Sequence, residues 1–316
     1  MALRGGIDLG GTKIESVVVD AEGAVVGQSR GPTPSEGGPP AVVKQLAAGL
    51  REAAKAAGVD ASELSGVGVG SPGEVDDGSV AHARNLPDWN GAFPLASALG
   101  EQLGISVKVA NDVGVAVDAE AKLGAGKDFA SFLGVWWGTG IGGAVVIGGK
   151  RWLGRGAAGE IGHTVIKVGG AKCECGRRGC LEAYAGRGAM EAKARREAAH
   201  GTKTDLFELA EKHGRTRLTS GIWARALERD DKLATKLIGR AIEALGAGIG
   251  SAVNLLDVDA VVIGGGLGTR FGQPYVDKIE VQMKKHLFVP ERPPAVLPAG
   301  LGDLGGAIGA SLLVQP

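Results

Sequence analysis

A short apolar strand, a glycine turn and a second apolar strand occur twice in this chain, and no other feature narrows its fold as much. The first copy spans residues 6–9, turns through Gly10 and Gly11, and resumes over residues 13–19. The second spans residues 129–136, turns through Gly138, Thr139 and Gly140, and resumes over residues 142–147. Between the copies, Val42, Val43, Leu46, Leu50, Ala53 and Ala57 recur at three- and four-residue steps, with Pro40 near the start and Gly58 at the end, which predicts an amphipathic helix. Further strands are expected at 66–70, 107–110 and 260–263, and further helices at about 112–123, 232–255 and 275–286. Strands alternating with helices predict an α/β fold. The doubled hairpin predicts two related lobes facing a shared cleft. The expected division is 1–112 with 303–316 for the smaller lobe and 113–302 for the larger, with residues 186–229 as a solvated helical excursion.

At 316 residues the chain is long enough for two cores. Its 35 lysines and arginines balance its 35 aspartates and glutamates, so nothing predicts a nucleic acid or an anionic membrane as partner. A small-molecule partner is expected. No secretory signal pattern opens the sequence and every apolar run is strand-sized, so the expected location is cytoplasmic.

The turn DLGGTK has a use for an anion. Gly10 and Gly11 let backbone amides approach closely, and Thr12 and Lys13 add a hydroxyl and a cation. Asp8, a carboxylate just before that nest, is best explained by Mg²⁺ between it and a phosphate. One such hairpin alone reads as a tight turn, but two can grip the same polyphosphate. The run Gly264, Gly265, Gly266 after a strand offers a third close backbone approach, suited to the flat face of a nucleotide. There is no GxxxxGK[ST] sequence, and the turn at Gly10 leads into a strand and not a helix, so the P-loop and dinucleotide classes are disfavoured.

All three cysteines lie within eight residues of one another. With His163 they give H-x9-C-x-C-x4-C (His163, Cys173, Cys175, Cys180), the ligand set of a closed tetrahedral Zn²⁺ site that holds structure and does not activate water.

Taken together, DLGGTK, the NDV after a strand, GTGIGG, GEIGH and CECGRRGCLE resemble the ROK family of sugar kinases and sugar-responsive repressors, and within it the glucokinases. The resemblance implies a two-lobed actin-like, ribonuclease-H-like ATPase fold, ATP with Mg²⁺ as the phosphoryl donor system, a structural zinc and a homo-oligomer, dimer or tetramer. The family's repressors carry a DNA-binding module before the first hairpin; here only residues 1–5 precede it. The resemblance makes Asp112 the general base and Asn111 a residue that orients the sugar, although the pair also reads as a helix N-cap. Glu160, His163 and Glu182 resemble a sugar clamp, since each carboxylate oxygen can accept from a different hydroxyl. Taken alone, Glu160 reads as a surface acid and Glu182 as a helix N-terminal charge. Gly73 and Asn85 resemble the opposite wall of that pocket. The function implied is phosphorylation of a hexose, glucose first. The alternatives are N-acetylmannosamine, N-acetylglucosamine, fructose or allose as substrate, or a sugar-sensing regulator without catalysis. Trp136 and Trp137, before the second turn, are unexpected there.

Overall fold

The computed structural model describes residues 2–83 and 86–314. The chain forms two compact units, Met1–Lys127 with Gly300–Pro316, and Asp128–Ala299. The first begins with an antiparallel run of β1 (Arg4–Leu9), β2 (Lys13–Val19) and β3 (Val25–Pro32), followed by α1 (Gly38–Ala56) and β4 (Val67–Ser71). A small hairpin, β5 (Glu74–Asp76) and β6 (Ser79–Ala81), leads to α2 (Leu95–Leu103), β7 (Val107–Asn111) and α3 (Asp112–Lys122). The sheet order is β3-β2-β1-β4-β7, with β4 parallel to β1 and β7 parallel to β4. Val17, Val18 and Val19 are all fully buried, which requires both faces of β2 to be covered. On one face α1 buries Val42, Leu46, Leu50 and Ala53, the stripe that the spacing predicts.

The second unit repeats this plan. Its strands are β8 (Ser131–Trp137), β9 (Ile141–Ile147), β10 (Lys150–Trp152), β11 (Ala260–Gly264) and β12 (Ala295–Pro298). Their order is β10-β9-β8-β11-β12, again three antiparallel strands followed by two added in parallel. The doubled hairpin of the sequence is thus the start of a doubled sheet. Between β10 and β11 come α4 (Glu182–Ala185), α5 (Arg187–Ala199), α6 (Leu206–Lys212), α7 (Ser220–Glu228) and α8 (Lys232–Leu256), and after β11 come α9 (Gly265–Phe271) and α10 (Gln273–Lys284). Asp231 caps α8 by accepting from the Ala234 amide, and Leu237, Ala241, Leu245 and Ile249 turn its apolar face inward. The stretch expected as a solvated excursion is only half so. Leu206, Leu209, Leu218, Ile222 and Trp223 are buried in this unit's core, because α6 and α7 each carry an inward face that the polar average conceals.

The chain then returns to the first unit through residues 300–304 and ends in α11 (Gly305–Ser311). This helix covers the other face of the first sheet at backbone distance. A Cβ on Gly68 would lie 1.7 Å from the Ala310 carbonyl, and one on Gly309 would lie 1.9 Å from that of Val115, so neither position admits a larger residue. The returning segment is pinned by Glu120. Its buried carboxylate accepts from the amides of Ala125, Gly300 and Leu301, at 2.7, 2.9 and 2.9 Å. Bonds to a charged acceptor contribute about 1.5–3 kcal/mol each. The expected boundary after Asp112 would separate α3 from β7. Instead α3 packs on β4 and α11 and stays with the first unit.

Candidate active site

In the first unit the candidate residues gather where β1, β4 and β7 end. Register places Asp8 beside Gly70, Gly70 beside Ala110, and Ser71 beside Asn111. A Cβ on Gly70 would approach Val115 Cγ2 to 2.8 Å and the Asp112 Cα to 3.4 Å, so this glycine lets the start of α3 settle close to the sheet. Asn111 is the N-cap of α3, its Oδ1 accepting from the Gly114 amide at 3.0 Å, and Asp112 Oδ1 accepts from the Val113 amide at 2.9 Å. The geometry is that of the N-cap reading, and the same cap fixes where the Asp112 carboxylate stands at the start of α3. Burial, and then the negative charge of Asp112, push the Asp8 carboxyl up to about 7. Two carboxylates near enough to repel each other suit a hard divalent cation.

The first turn closes with the Gly10 amide donating to the Lys13 carbonyl at 3.0 Å, and the Thr33 hydroxyl donates to the Gly10 carbonyl at 2.5 Å. Gly11 and Thr12 are exposed at its tip. Lys13 is not a free cation. Its Nζ lies 2.7 Å from Glu15 Oε1 and 3.4 Å from Asp303 Oδ2. Gly73, at φ 93°, opens the β5–β6 hairpin. Asn85 lies outside the described residues.

In the second unit the turn closes with the Gly138 amide donating to the Gly140 carbonyl at 3.0 Å. Gly264, Gly265 and Gly266 sit against it. Gly265 starts α9 at φ +80°, where a Cβ would lie 2.8 Å from the Trp137 backbone, and the Gly266 amide is 3.9 Å from where a Gly138 Cβ would be. The structure thus brings two of the three glycine elements together. Trp137 belongs to the core, donating from Nε1 to the Ala185 carbonyl at 2.8 Å, while Trp136 packs on Gly264. Glu182, at the start of α4, turns one oxygen to the Ile141 amide at 2.9 Å and holds the other 3.8 Å from Cys173 Sγ. Sequence reasoning missed Arg187, which donates to the Thr139 hydroxyl at 2.5 Å and the Leu218 carbonyl at 2.8 Å.

His163, Cys173, Cys175 and Cys180 converge, with one ligand atom from each within 4.8 Å of all the others. Cys175 Sγ and Cys180 Sγ are 3.7 Å apart, and Cys173 Sγ and His163 Nδ1 are 3.8 Å apart. A tetrahedron of bonds about 2.3 Å long separates its sulfurs by about 3.8 Å, so the cluster fits a metal ion of zinc's size. Burial pushes the Cys173 thiol up to about 12, whereas the Arg177 side chain draws the exposed Cys175 thiol down to about 6. A divalent cation among them would favour the thiolate form of all three. Glu160, exposed, precedes the short 3₁₀ turn that carries His163.

A doubled sheet with a glycine hairpin in each copy, carboxylates at one and a Cys₃His cluster at the other, defines an actin-like ATPase fold of the kind that sugar kinases use. Residues 4–316 match the ROK family model, and the chain belongs to that family. It is 32% identical to a glucokinase of Halalkalibacterium halodurans over 98% of this chain and 94% of that one. It is also 32% identical to an N-acetyl-D-glucosamine kinase of Pectobacterium atrosepticum, over 98% and 97%. Among solved structures, a ROK family glucokinase from Streptomyces griseus in complex with glucose and AMPPNP superposes with a TM-score of 0.84 at 32% identity, covering 99% of each chain. Among the described residues, no helix is long and apolar enough to cross a membrane.

Proposed function

We propose that this chain transfers the γ-phosphoryl group of ATP to a hydroxyl of a hexose, glucose first, releasing ADP and a sugar phosphate. The observation that carries the reading is the carboxylate at the start of α3, Asp112, presented by its own N-cap beside a second carboxylate and a glycine hairpin. In this reading Asp112 accepts the proton of the attacking hydroxyl as the new P–O bond forms. Asn111, Asn85, Gly73, Glu160, Glu182 and His163 place the sugar. The turns at Gly10, Gly11 and Thr12, at Gly138, Thr139 and Gly140, and at Gly264, Gly265 and Gly266 hold the nucleotide, while Lys13 closes the first turn through its backbone and keeps its charge for Glu15 and Asp303. Asp8 would hold Mg²⁺, which neutralises phosphate charge when bound. The cysteines and His163 would hold zinc, with four protein ligands and no open position, so its part is to fix the loop. His163 Nδ1 faces Cys173, which leaves Nε2 for a sugar hydroxyl. A cytoplasmic enzyme fits ATP as substrate, and the exposed Leu255 and Phe288 support a homo-oligomer, checked by light scattering.

The glucokinase relatives support glucose, and the N-acetyl-D-glucosamine kinase at equal identity supports an N-acetylhexosamine as the second reading. ADP release from the purified protein with ATP and a panel of hexoses tests both. The highest kcat/KM is expected with glucose, and a higher value with N-acetylglucosamine would replace it. If no sugar elicits ADP, the chain is a sugar-sensing regulator and not a kinase.

A further inference from the structure

We propose that Arg187 is a phosphate ligand of the second unit's nucleotide site, the cation that Lys13 is too engaged to be. The inference rests on the ATP reading above and adds a residue to it. Three observations converge on this side chain.

The first is its place. Arg187 opens α5, where its own amide donates to the Gly138 carbonyl at 3.1 Å and the Gly188 amide donates to the Thr139 carbonyl at 2.9 Å. The guanidinium then reaches from the Thr139 hydroxyl on the glycine turn to the Leu218 carbonyl. Two residues on, Ser220 Oγ lies 3.8 Å from where a Gly266 Cβ would be. One cation therefore braces the turn at 138–140 and the segment that borders the glycines at 264–266.

The second is its charge. Arg187 forms no ion pair among the described residues. The nearest carboxylate on its helix, Glu191, is bound by Arg195 at 2.7 Å and by Arg217 and the Leu218 amide at 3.1 Å, so it is taken. Burial, and then the nearby Arg217, act against the charge of Arg187. A half-buried guanidinium with five donors and only two neutral acceptors is what an incoming phosphate stabilises.

The third is hydrogen-bond direction. The Thr139 oxygen accepts from Arg187, so its proton is left to donate. Thr139 is exposed at the tip of the turn, and the hydroxyl and guanidinium together offer an anion two adjacent donors.

The test compares wild type with Arg187→Met and Arg187→Lys, each first checked for an unchanged melting temperature and circular dichroism. Steady-state kinetics should give Arg187→Met an ATP KM raised roughly 10- to 100-fold with the hexose KM within about twofold, and Arg187→Lys an intermediate value. Binding of ADP and of inorganic tripolyphosphate is measured by calorimetry without sugar, so the result does not depend on turnover. Both should weaken at least about tenfold in Arg187→Met. Unchanged binding of both anions in the folded variants overturns the proposal even if the wild type is a kinase. Lost anion binding in a protein that phosphorylates no hexose upholds Arg187 and removes the kinase reading. If Arg187→Met fails to fold, Arg187→Lys decides alone, and anion affinities equal to wild type in that variant count against the proposal.

Discussion

The two glycine turns close in the same way, each with an amide bonded back across the turn, yet their surroundings are opposite in charge. The first stands among acids: Asp8 on its strand, Asp112 nearby, and a lysine already occupied by Glu15 and Asp303. The second carries Arg187 on its hydroxyl and Glu182 on its backbone, one oxygen of the latter holding the Ile141 amide. One scaffold occurs twice, and the residues around each copy surround its turn with different charge. In our reading the acid-rich copy serves proton transfer and a divalent cation, and the arginine-bearing copy serves phosphate.

The largest expected effect breaks the acid side. Asp112→Asn should keep ATP and sugar binding and lower kcat by roughly 10²- to 10⁴-fold, the range of a positioned general base. Near-normal turnover at neutral pH would remove Asp112 from the mechanism and with it the contrast between the turns.

Asp8 should reveal itself in stability. Its folded pKa is raised from 3.8 to about 7, so the folded state binds this proton more tightly than the unfolded one. The stabilising contribution is full below pH 3.8, falls as pH rises through the window up to about 7, and is gone above it. In metal-free protein, Asp8→Asn should therefore be more stable than wild type at pH 8 by roughly 1–3 kcal/mol, with a smaller gain at pH 5. Urea denaturation at both values checks this, and an equal difference at the two would mean that Asp8 titrates normally.

Metal removal sharpens the other side. Glu182 connects the Cys173 neighbourhood to the second turn, so chelation should loosen residues 139–141 and 163–181 together while residues 8–16 keep their protection. Hydrogen exchange should accelerate roughly 10- to 100-fold in the former segments, equivalent to about 1–3 kcal/mol. Equal change in both units would show that the cluster stabilises the chain generally.

The smallest effect concerns Lys13. Because its charge is spent on Glu15 and Asp303, Lys13→Met should raise the ATP KM less than about threefold, while costing about 1 kcal/mol of stability by exposing the buried Glu15 carboxylate to a lost partner. A rise as large as that expected for Arg187→Met would mean that the lysine leaves its acids to meet the nucleotide.

Where local sequence and tertiary structure agree, the fold was legible. The first hairpin, α1, the β7–α3 junction and α8 lie within a residue or two of their expected limits, because periodicity, caps and turn residues all favour them. The cysteine cluster was legible for a different reason, since ligand spacing is a local property. Several elements were not, among them β3, α2, β12 and α11. The last, GGAIGAS, contradicts helix propensity with three glycines, and only its backbone contact with β1, β4 and α3 makes it a helix. Of the site, motifs could name side chains, but the partners of those side chains were not legible. Lys13 read as a phosphate cation because Asp303 is far away in sequence, and Arg187 went unnoticed because nothing in AYAGRG shows that the side chain comes back to Thr139.

That awkward final helix has a consequence for how the protein is made. During synthesis the second unit leaves the ribosome whole, while the first still lacks the helix that covers one face of its sheet. Until residues 305–311 emerge, Gly6, Gly68, Val17 and Val19 lack their cover, an open sheet face at the moment when aggregation is easiest. The N-terminal unit is thus completed after the other, and a stop codon just before Gly305 would leave residues 128–299 whole and the first sheet uncovered on one face.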